Sequence, residues 1–155
     1  MTTAHDTGRV SLSKDAPALY RAHVALDRAV RESALDRRTL ELVKVRASQV
    51  NGCAYCIDMH TRDALAAGET QRRLFALAAW PESPLFDDRE RAALALADAV
   101  TLIADDAVPD AVYAAAAERF STEELTALIF AIAVINSWNR LAIATGAVFE
   151  APEDR

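Results

Sequence analysis

Residues that interrupt helices are scarce in this sequence. It contains four Gly and five Pro in 155 residues, whereas alanine, the strongest helix former, makes up about a fifth of the chain. Hydrophobic residues amount to 52% and charged residues to 26%, which excludes a disordered chain. A loop-rich β-protein of this length would need many more turn residues. The sequence therefore predicts an all-α protein.

About seven helices follow from caps, breakers and apolar spacing. The first begins after Ser13 with Pro17 in its first turn, and the last runs from Ser121 towards Gly146, with a capping-box pattern at its start. The other five lie between Asp36 and Asn51, Cys53 and Gly68, Thr70 and Ala79, Asp87 and Ile103, and Pro109 and Phe120. We expect residues 1–12 to form a flexible N-terminus and residues 13–150 a single helical domain.

Charge and hydropathy limit the partners of the chain. There are 17 basic and 23 acidic residues, which give a net charge of −6 and argue against nucleic-acid or anionic-membrane binding. The start of the chain lacks the apolar core of a secretion signal, and no run reaches the roughly 18 uncharged apolar residues of a membrane span. We therefore expect a cytoplasmic protein with no nucleic-acid or membrane partner.

The residues most suited to chemistry are Cys53, Cys56 and His60. On a helix that turns by about 100° per residue, the three side chains share one narrow face, and Cys56 and His60 are neighbours four residues apart. The cysteines follow the helix-breaking pair Asn51-Gly52, so they occupy the first turn of the third predicted helix. Free N–H groups and the helix dipole at that end favour a thiolate, which predicts a lowered thiol pKa.

Glu41 joins this group if the second and third predicted helices form an antiparallel hairpin. At a rise of about 1.5 Å per residue, Glu41 lies about 16 Å before the turn and His60 about 12 Å after it, so the two are nearly level. Glu41 can then orient His60, which in turn can take a proton from Cys56. The hairpin angle is the assumption on which this relay depends.

Two less reactive interpretations of the cysteine pair remain open. The cysteines can be small buried hydrophobic residues with no chemical role. Alternatively, Cys53, Cys56 and His60, with or without Glu41, can bind zinc, although no second Cys or His cluster completes a closed structural site. We expect no metal and no cofactor other than a redox-active Cys53–Cys56 pair. Tyr55 and Asp58 should point away from the cysteine face, although Tyr55 can border a substrate entrance.

The motif as a whole resembles the alkylhydroperoxidase AhpD-like group of the carboxymuconolactone decarboxylase superfamily. The matching pattern is Glu41, then Cys53-x-x-Cys56 twelve residues later, then His60. Further likenesses are Ser48, the Asn51-Gly52 pair and the segment Asn136-Ser137-Trp138-Asn139-Arg140-Leu141. One departure is Tyr55, since the best-known members carry a second histidine between the cysteines.

This resemblance implies an all-helical thiol peroxidase that forms trimers or hexamers. Cys56 would attack a hydroperoxide, Cys53 would resolve the sulfenic acid as a disulfide, and Glu41 with His60 would relay protons. The disulfide would be reduced by a lipoyl-bearing or thioredoxin-like protein. A general dithiol-disulfide oxidoreductase or redox sensor would use the same residues, and a non-enzymatic helical oligomer with an incidental or zinc-bound pair is the third hypothesis.

The sequence also contains a pattern typical of a degenerate internal repeat, 35–68 against 120–146. A shift of 85 residues places Leu40 on Leu125, Asn51 on Asn136 and Cys53 on Trp138. Chance alignment of two amphipathic helices would give a similar match. If the repeat is real, the last helix should be interrupted near Asn136-Ser137, as the chain is at Asn51-Gly52.

Overall fold

A computed structural model describes residues 8–149, and this part of the chain contains eight α-helices, one 3-10 segment and no strand. The predicted all-α fold class is thereby confirmed. The helices are α1 (Leu12–Asp15), α2 (Pro17–Arg31), α3 (Arg37–Asn51), α4 (Ala54–Ala66), α5 (Gln71–Ala76), α6 (Asp88–Thr101), α7 (Asp110–Arg119) and α8 (Thr122–Thr145). The 3-10 segment, Leu77–Glu82, continues α5.

The first predicted helix is divided in two, which corrects the numbering of the site helix. The backbone of Ala16 is not helical, because a residue that precedes proline is sterically pushed out of the helical region. A four-residue helix, α1, therefore precedes α2. The two cysteines consequently stand at the start of the fourth helix and not of the third.

Side-chain caps fix the start of most of the later helices, as the sequence predicts. Asp36 caps α3 by accepting from the N–H of Thr39, and Thr70 caps α5 in the same way. Capping boxes begin both α6, at Asp87, and α8, at Ser121. These local bonds satisfy N–H groups that a helix leaves unpaired and so determine where each helix begins.

Helix α3 lies at the centre of the fold and packs against α4, α6 and α8. Its residues from Thr39 to Val45 are all buried, so it lacks the solvent-facing side of a surface helix. On one side it contributes to an apolar cluster with α6, α7 and α8, and on the other to a cluster with α4, α5 and the 3-10 segment. A third, smaller cluster joins both cysteines to Ala47 and Ile135.

Helix α8 is continuous through Ser137, so the expected interruption at Asn136-Ser137 is wrong. The internal repeat thereby loses the structural feature that would have supported it. Ser137 keeps a helical backbone, whereas Gly52 has a φ of 68°, a left-handed value that favours glycine and ends α3. Residues 1–7 of the predicted flexible N-terminus lie outside the described residues, whereas Arg9 donates hydrogen bonds to the carbonyls of Ile143 and Ala144 near the end of α8.

Among residues 8–149, α8 is the one helix that is long and apolar enough to cross a membrane, judged by length and composition alone. Of its most apolar stretch, 44% is buried inside the fold, and its buried Asn136 accepts a hydrogen bond from Asn51 of α3. A core helix of a folded domain passes the same test, so α8 is weak evidence for a membrane span.

Candidate functional site

The two cysteines are held together by the turn between α3 and α4. Gly52 reverses the chain, and Cys53 then serves as the N-cap of α4, with its Sγ accepting from the backbone N–H of Cys56 at 3.4 Å. Both residues are free thiols, their Sγ atoms are 2.8 Å apart, and only 1% and 2% of their surfaces are exposed. The pair is therefore placed to exchange an oxidising equivalent without movement of the helix.

The predicted lowering of the thiol pKa is wrong for Cys56. Burial and the neighbouring Cys53 sulfur raise the pKa of Cys56 to about 12, and only the side-chain hydrogen bond with Asn139 opposes them. The main physical reason is burial, which disfavours a charged sulfur, and the hydrogen bond between the two sulfurs adds to it. Cys56 is therefore a thiol at neutral pH, and its reaction requires a base.

His60 and Glu41 lie opposite each other in the α3–α4 hairpin, as their similar distances from the turn predict. His60 Nδ1 lies 2.8 Å from Glu41 Oε2, and both side chains are almost completely buried. Burial opposes the ionisation of Glu41, but the hydrogen bond with His60 and the charges of Lys44 and Arg31 hold the pKa of Glu41 below its ordinary value. An ionised carboxylate can only accept, so we assign the shared proton to Nδ1, which leaves the Nε2 lone pair to accept a proton.

A group of charged side chains beside this pair was missed by sequence reasoning. Lys44 is fully buried, and its Nζ lies 3.0 Å from Oδ1 of Asp27. Burial works against the charged form of Asp27, but Lys44 and Arg31 hold the pKa of Asp27 below its ordinary value. Arg31 also lies 4.0 Å from Glu41 and 3.7 Å from Asp63. A lysine within the apolar pattern of α3 was the one sequence signal for this cluster.

Asn139 of α8 is the second residue whose position the sequence did not predict. It is completely buried; its Oδ1 accepts from Asn51 at 2.9 Å, and its Nδ2 donates to Ser48 Oγ at 3.0 Å. Since the Ser48 hydroxyl itself donates to the Lys44 carbonyl, the orientation of the Asn139 amide is fixed. Its remaining N–H can therefore be directed to the Cys56 sulfur, in keeping with the effect of Asn139 on that thiol.

Cys56 and His60 line one cavity, which we call the His60 cavity. Its volume is about 200 Å³. Its walls combine aromatic and apolar side chains with the charged edge of the ionic cluster: Tyr20, Asp27, Arg31, Tyr55, Met59, Trp138 and Ala142. Tyr55 is 37% exposed and lines this cavity.

The zinc hypothesis receives no support from the arrangement of donors. Within residues 8–149, one group of acidic and histidine side chains is close enough to share an ion, and it consists of Glu41, His60 and Asp63. Neither cysteine belongs to that group. Arg31 lies beside both of its carboxylates and already supplies positive charge there.

Comparison with known proteins identifies the family of this chain. The sequence profile described as the carboxymuconolactone decarboxylase family matches residues 17–99, which hold Glu41, both cysteines and His60. The chain belongs to the carboxymuconolactone decarboxylase family. Within that family it is AhpD-like, as its likeness to a solved structure from Agrobacterium tumefaciens indicates.

Three relatives show how far the likeness to other members of the carboxymuconolactone decarboxylase family extends. The uncharacterized protein YdfG of Bacillus subtilis is 43% identical over 138 residues, which cover 89% of this chain and 94% of YdfG. A second relative is a protein of unknown function from Agrobacterium tumefaciens, whose crystal structure names it as a candidate antioxidant defence protein AhpD. It is 36% identical with a TM-score of 0.90, and the match covers 93% of this chain and 99% of that one. An alkylhydroperoxidase AhpD core from Ralstonia eutropha is 24% identical with a TM-score of 0.76, covers 90% and 73% of the two chains, and shows the fold alone.

Proposed function

We propose that this protein is a dithiol peroxidase that reduces organic hydroperoxides. The observation that carries the proposal is the shared cavity of Cys56 and His60, with Glu41 2.8 Å behind the imidazole and the Cys53 sulfur 2.8 Å from that of Cys56. In this proposal Cys56 is the nucleophile and His60 is its base. Glu41 orients His60, and Cys53 is the resolving thiol, so the four residues form one connected arrangement.

In the first step, His60 Nε2 takes the proton of the Cys56 thiol, and the charge of the imidazolium is stabilised by Glu41. The thiolate attacks the terminal oxygen of the hydroperoxide, the O–O bond breaks, and the alkoxide leaves as an alcohol after it takes the proton from His60. Cys56 becomes a sulfenic acid. Because its pKa is raised, Cys56 is protonated at neutral pH and needs a base, the role proposed for His60 in the same cavity.

In the second step, the Cys53 sulfur attacks the sulfenic sulfur of Cys56. An S–S bond forms, the S–O bond breaks, and the released hydroxide combines with the Cys53 proton as water. Two thiols have then lost two electrons, and the hydroperoxide has become an alcohol and water. An external dithiol must reduce the disulfide before the next turnover.

The test is to follow hydroperoxide consumption by the purified protein and its variants, with a lipoyl or thioredoxin reductant supplied for turnover. Cys56→Ser should abolish consumption, whereas Cys53→Ser should consume one equivalent and stop with an oxidised Cys56. His60→Gln should lower the rate constant for oxidation by about 10²–10⁴-fold, the usual contribution of a general base. Wild-type turnover in both cysteine variants would refute the proposal, and a protein that reduces disulfides but not peroxides would be a general dithiol oxidoreductase instead.

We also propose that the protein self-associates through the faces of α2 and α8. An apolar groove of about 650 Å³ runs between these helices, and Phe130 on its edge is 51% exposed. Apolar surface of this kind is typical of an interface between protein chains. Light scattering should give a trimer or hexamer for the wild type and a smaller species for Phe130→Glu; a monomeric wild type would contradict the proposal.

A further inference from the structure

Arg31 is a charged residue of the His60 cavity to which the proposed mechanism gives no role. Its side chain is 29% exposed, and its Nε–H donates to Asp27 Oδ2 at 2.8 Å. The nearest oxygens of Glu41 and Asp63 lie 4.0 and 3.7 Å from its Nη1, too far for a hydrogen bond. In the described part of the chain, neither terminal nitrogen of Arg31 makes a hydrogen bond. The end of the guanidinium therefore has N–H groups to offer to a ligand in the cavity.

The ionic cluster holds Arg31 in this position. Asp27, which accepts from Arg31, also lies 3.0 Å from the Nζ of the fully buried Lys44. Lys44 therefore compensates the Asp27 carboxylate from inside the protein, while Arg31 contacts the same carboxylate at the cavity wall. A guanidinium that is already oriented loses less conformational freedom when it binds a ligand.

The acidic groups around Arg31 leave room for an incoming anion. Of the described residues that line the cavity, Asp27 is the only carboxylate, and Lys44 is its second cationic partner. Glu41 is completely buried, and Asp63 is not a lining residue and is partly exposed, so that water screens its charge. Arg31 is therefore the group on the cavity wall with which an anion can pair.

The other walls of the cavity suit a compact apolar body. They include three aromatic rings and a thioether, those of Tyr20, Tyr55, Trp138 and Met59. Such side chains pack well against a ring. The cavity volume is about 200 Å³. Pockets for drug-sized ligands measure roughly 300–1,000 Å³, so we expect a body no larger than one ring or a short chain.

We propose that Arg31 binds a carboxylate of the substrate, and that the preferred substrate is a compact hydroperoxide that carries such a group. Its –OOH group would lie at Cys56 and His60, and its apolar body against the aromatic wall. This inference rests on the proposed function, since it names the substrate class of the same site. The N–H groups of a guanidinium match the two oxygens of a carboxylate, and such charge-assisted hydrogen bonds are stronger than neutral ones. The carboxylate takes no part in the redox step and remains on the alcohol product.

Alkylation of Cys56 tests the carboxylate site without any hydroperoxide. The probes are 4-(bromomethyl)benzoate and 4-(bromomethyl)benzamide, which share the ring and the reactive carbon and differ in charge. Their rates at Cys56 of the reduced protein are measured by peptide mass spectrometry, and the benzoate-to-benzamide ratio is divided by the same ratio for 2-mercaptoethanol. We expect this normalised ratio to be about ten, the effect of one charged hydrogen bond. The net charge of −6 would by itself repel the benzoate, so a ratio of one or less in the wild type would overturn the proposal.

A matched pair of variants locates the effect. Arg31→Gln removes the proposed partner of the carboxylate, whereas Arg37→Gln removes the same charge at a position 3.2 Å from Glu41 that does not line the cavity. The normalised ratio should fall to about one in Arg31→Gln and stay at the wild-type value in Arg37→Gln. An equal fall in both variants would indicate a general effect of charge and would overturn the assignment to Arg31. Because the wild-type ratio is decisive by itself, the test does not depend on the folding of Arg31→Gln.

Turnover tests the substrate class. Cumene hydroperoxide and its 4-carboxylate share the ring and the reacting group, and only the second carries a charge. With the same reductant in excess, kcat/KM of the wild type should be about tenfold higher for the carboxylate, and this preference should be lost in Arg31→Gln. A higher kcat/KM for cumene hydroperoxide in the wild type would refute the substrate class. If neither hydroperoxide is consumed while the benzoate preference holds, the peroxidase proposal fails and the carboxylate site stands.

Discussion

The α3–α4 hairpin and helix α8 follow the same sequence pattern but have different backbones. In both, an asparagine donates a side-chain hydrogen bond to the carbonyl four residues earlier, Asn51 to Ala47 and Asn136 to Ile132. The two asparagines also bond to each other at 2.9 Å. The next residue is Gly52 in one case and Ser137 in the other, and only after Gly52 does the chain leave the helix.

This difference shows how one residue creates the proposed reactive site. Because the helix ends at Gly52, the next residue, Cys53, becomes the N-cap of a new helix and carries a second cysteine one turn later. The corresponding residue after Ser137 is Trp138, which stays within α8 and packs against the cysteines. The hairpin thus holds the two cysteines of the proposed mechanism, and α8 packs over them.

The two regions also differ in how they are stabilised. The hairpin contacts a buried ionic cluster, whereas the core positions of α8 are mostly aliphatic with two amide side chains among them. A buried charge that loses its partner is far more costly than a small loss of apolar packing. Substitutions on the two sides should therefore differ clearly in their effects.

The largest effect should come from Asp27→Ala, which leaves the buried ammonium of Lys44 without its 3.0 Å partner. We expect the free energy of unfolding to fall by about 3–5 kcal/mol. Ile132→Val in α8 should lower it by only about 0.5–1.5 kcal/mol. Urea denaturation measures both. The double variant Asp27→Ala/Lys44→Met should recover much of the loss, and no recovery would show that the ion pair is not the cause.

Low pH should also destabilise the α3–α4 hairpin and the ionic cluster beside it, because it neutralises their carboxylates. The pKa values of Asp27 and Glu41 are held below their ordinary values of 3.8 and 4.5, so their contribution to stability is present above those values. It is lost as the pH falls through the folded-state pKa, because the unfolded chain then binds more protons. Denaturation at pH 7, 5, 4 and 3 should show this loss, and Glu41→Gln should reduce its slope. The same slope in wild type and Glu41→Gln would contradict the role of Glu41.

A smaller loss of stability is expected for Asn139→Ala. This change removes the oxygen that accepts from Asn51 and the N–H that donates to Ser48. The free energy of unfolding should fall by about 1–3 kcal/mol. The pKa of Cys56 should also rise, since the one hydrogen bond that lowers it is lost. Alkylation by iodoacetamide across a pH series measures this change. Asn136→Ala is the matched control, because it disturbs the same network and should leave Cys56 reactivity unaltered.

The smallest effects concern the two residues that distinguish the regions. Gly52→Ala should cost about 1–2 kcal/mol, because alanine is strained at a φ of 68°, although its Cβ would meet no atom within 4 Å. Gly52→Asn should cost less, since asparagine tolerates this conformation better. Ser137→Gly should cost roughly 0.5–1 kcal/mol and leave α8 helical. Circular dichroism with thermal unfolding checks each, and a clear loss of helix in Ser137→Gly would show that α8 is close to breaking.

Much of the fold followed from local sequence signals. The caps at Asp36, Thr70 and Ser121 depend on bonds within one helical turn, so neighbouring residues alone determine them. The meeting of Glu41 and His60 also followed, because a short turn between two helices sets the level of their residues. The break at Ala16 is the local feature that the sequence prediction gets wrong, because the prediction places Pro17 in the first turn of one longer helix.

The sequence by itself determined that this chain is helical and that Cys53 and Cys56 start a helix after a glycine turn. The tertiary structure decided the surroundings of these two thiols, and with them the pKa of Cys56. The Cys53 sulfur caps the helix by accepting a hydrogen bond from a backbone N–H, and the packing of the fold buries Cys56. Asn139 and Lys44, which are distant in sequence, complete the surroundings. The reason is physical: caps and turns arise from near neighbours, whereas the pKa of a buried group depends on everything that excludes water from it and bonds to it.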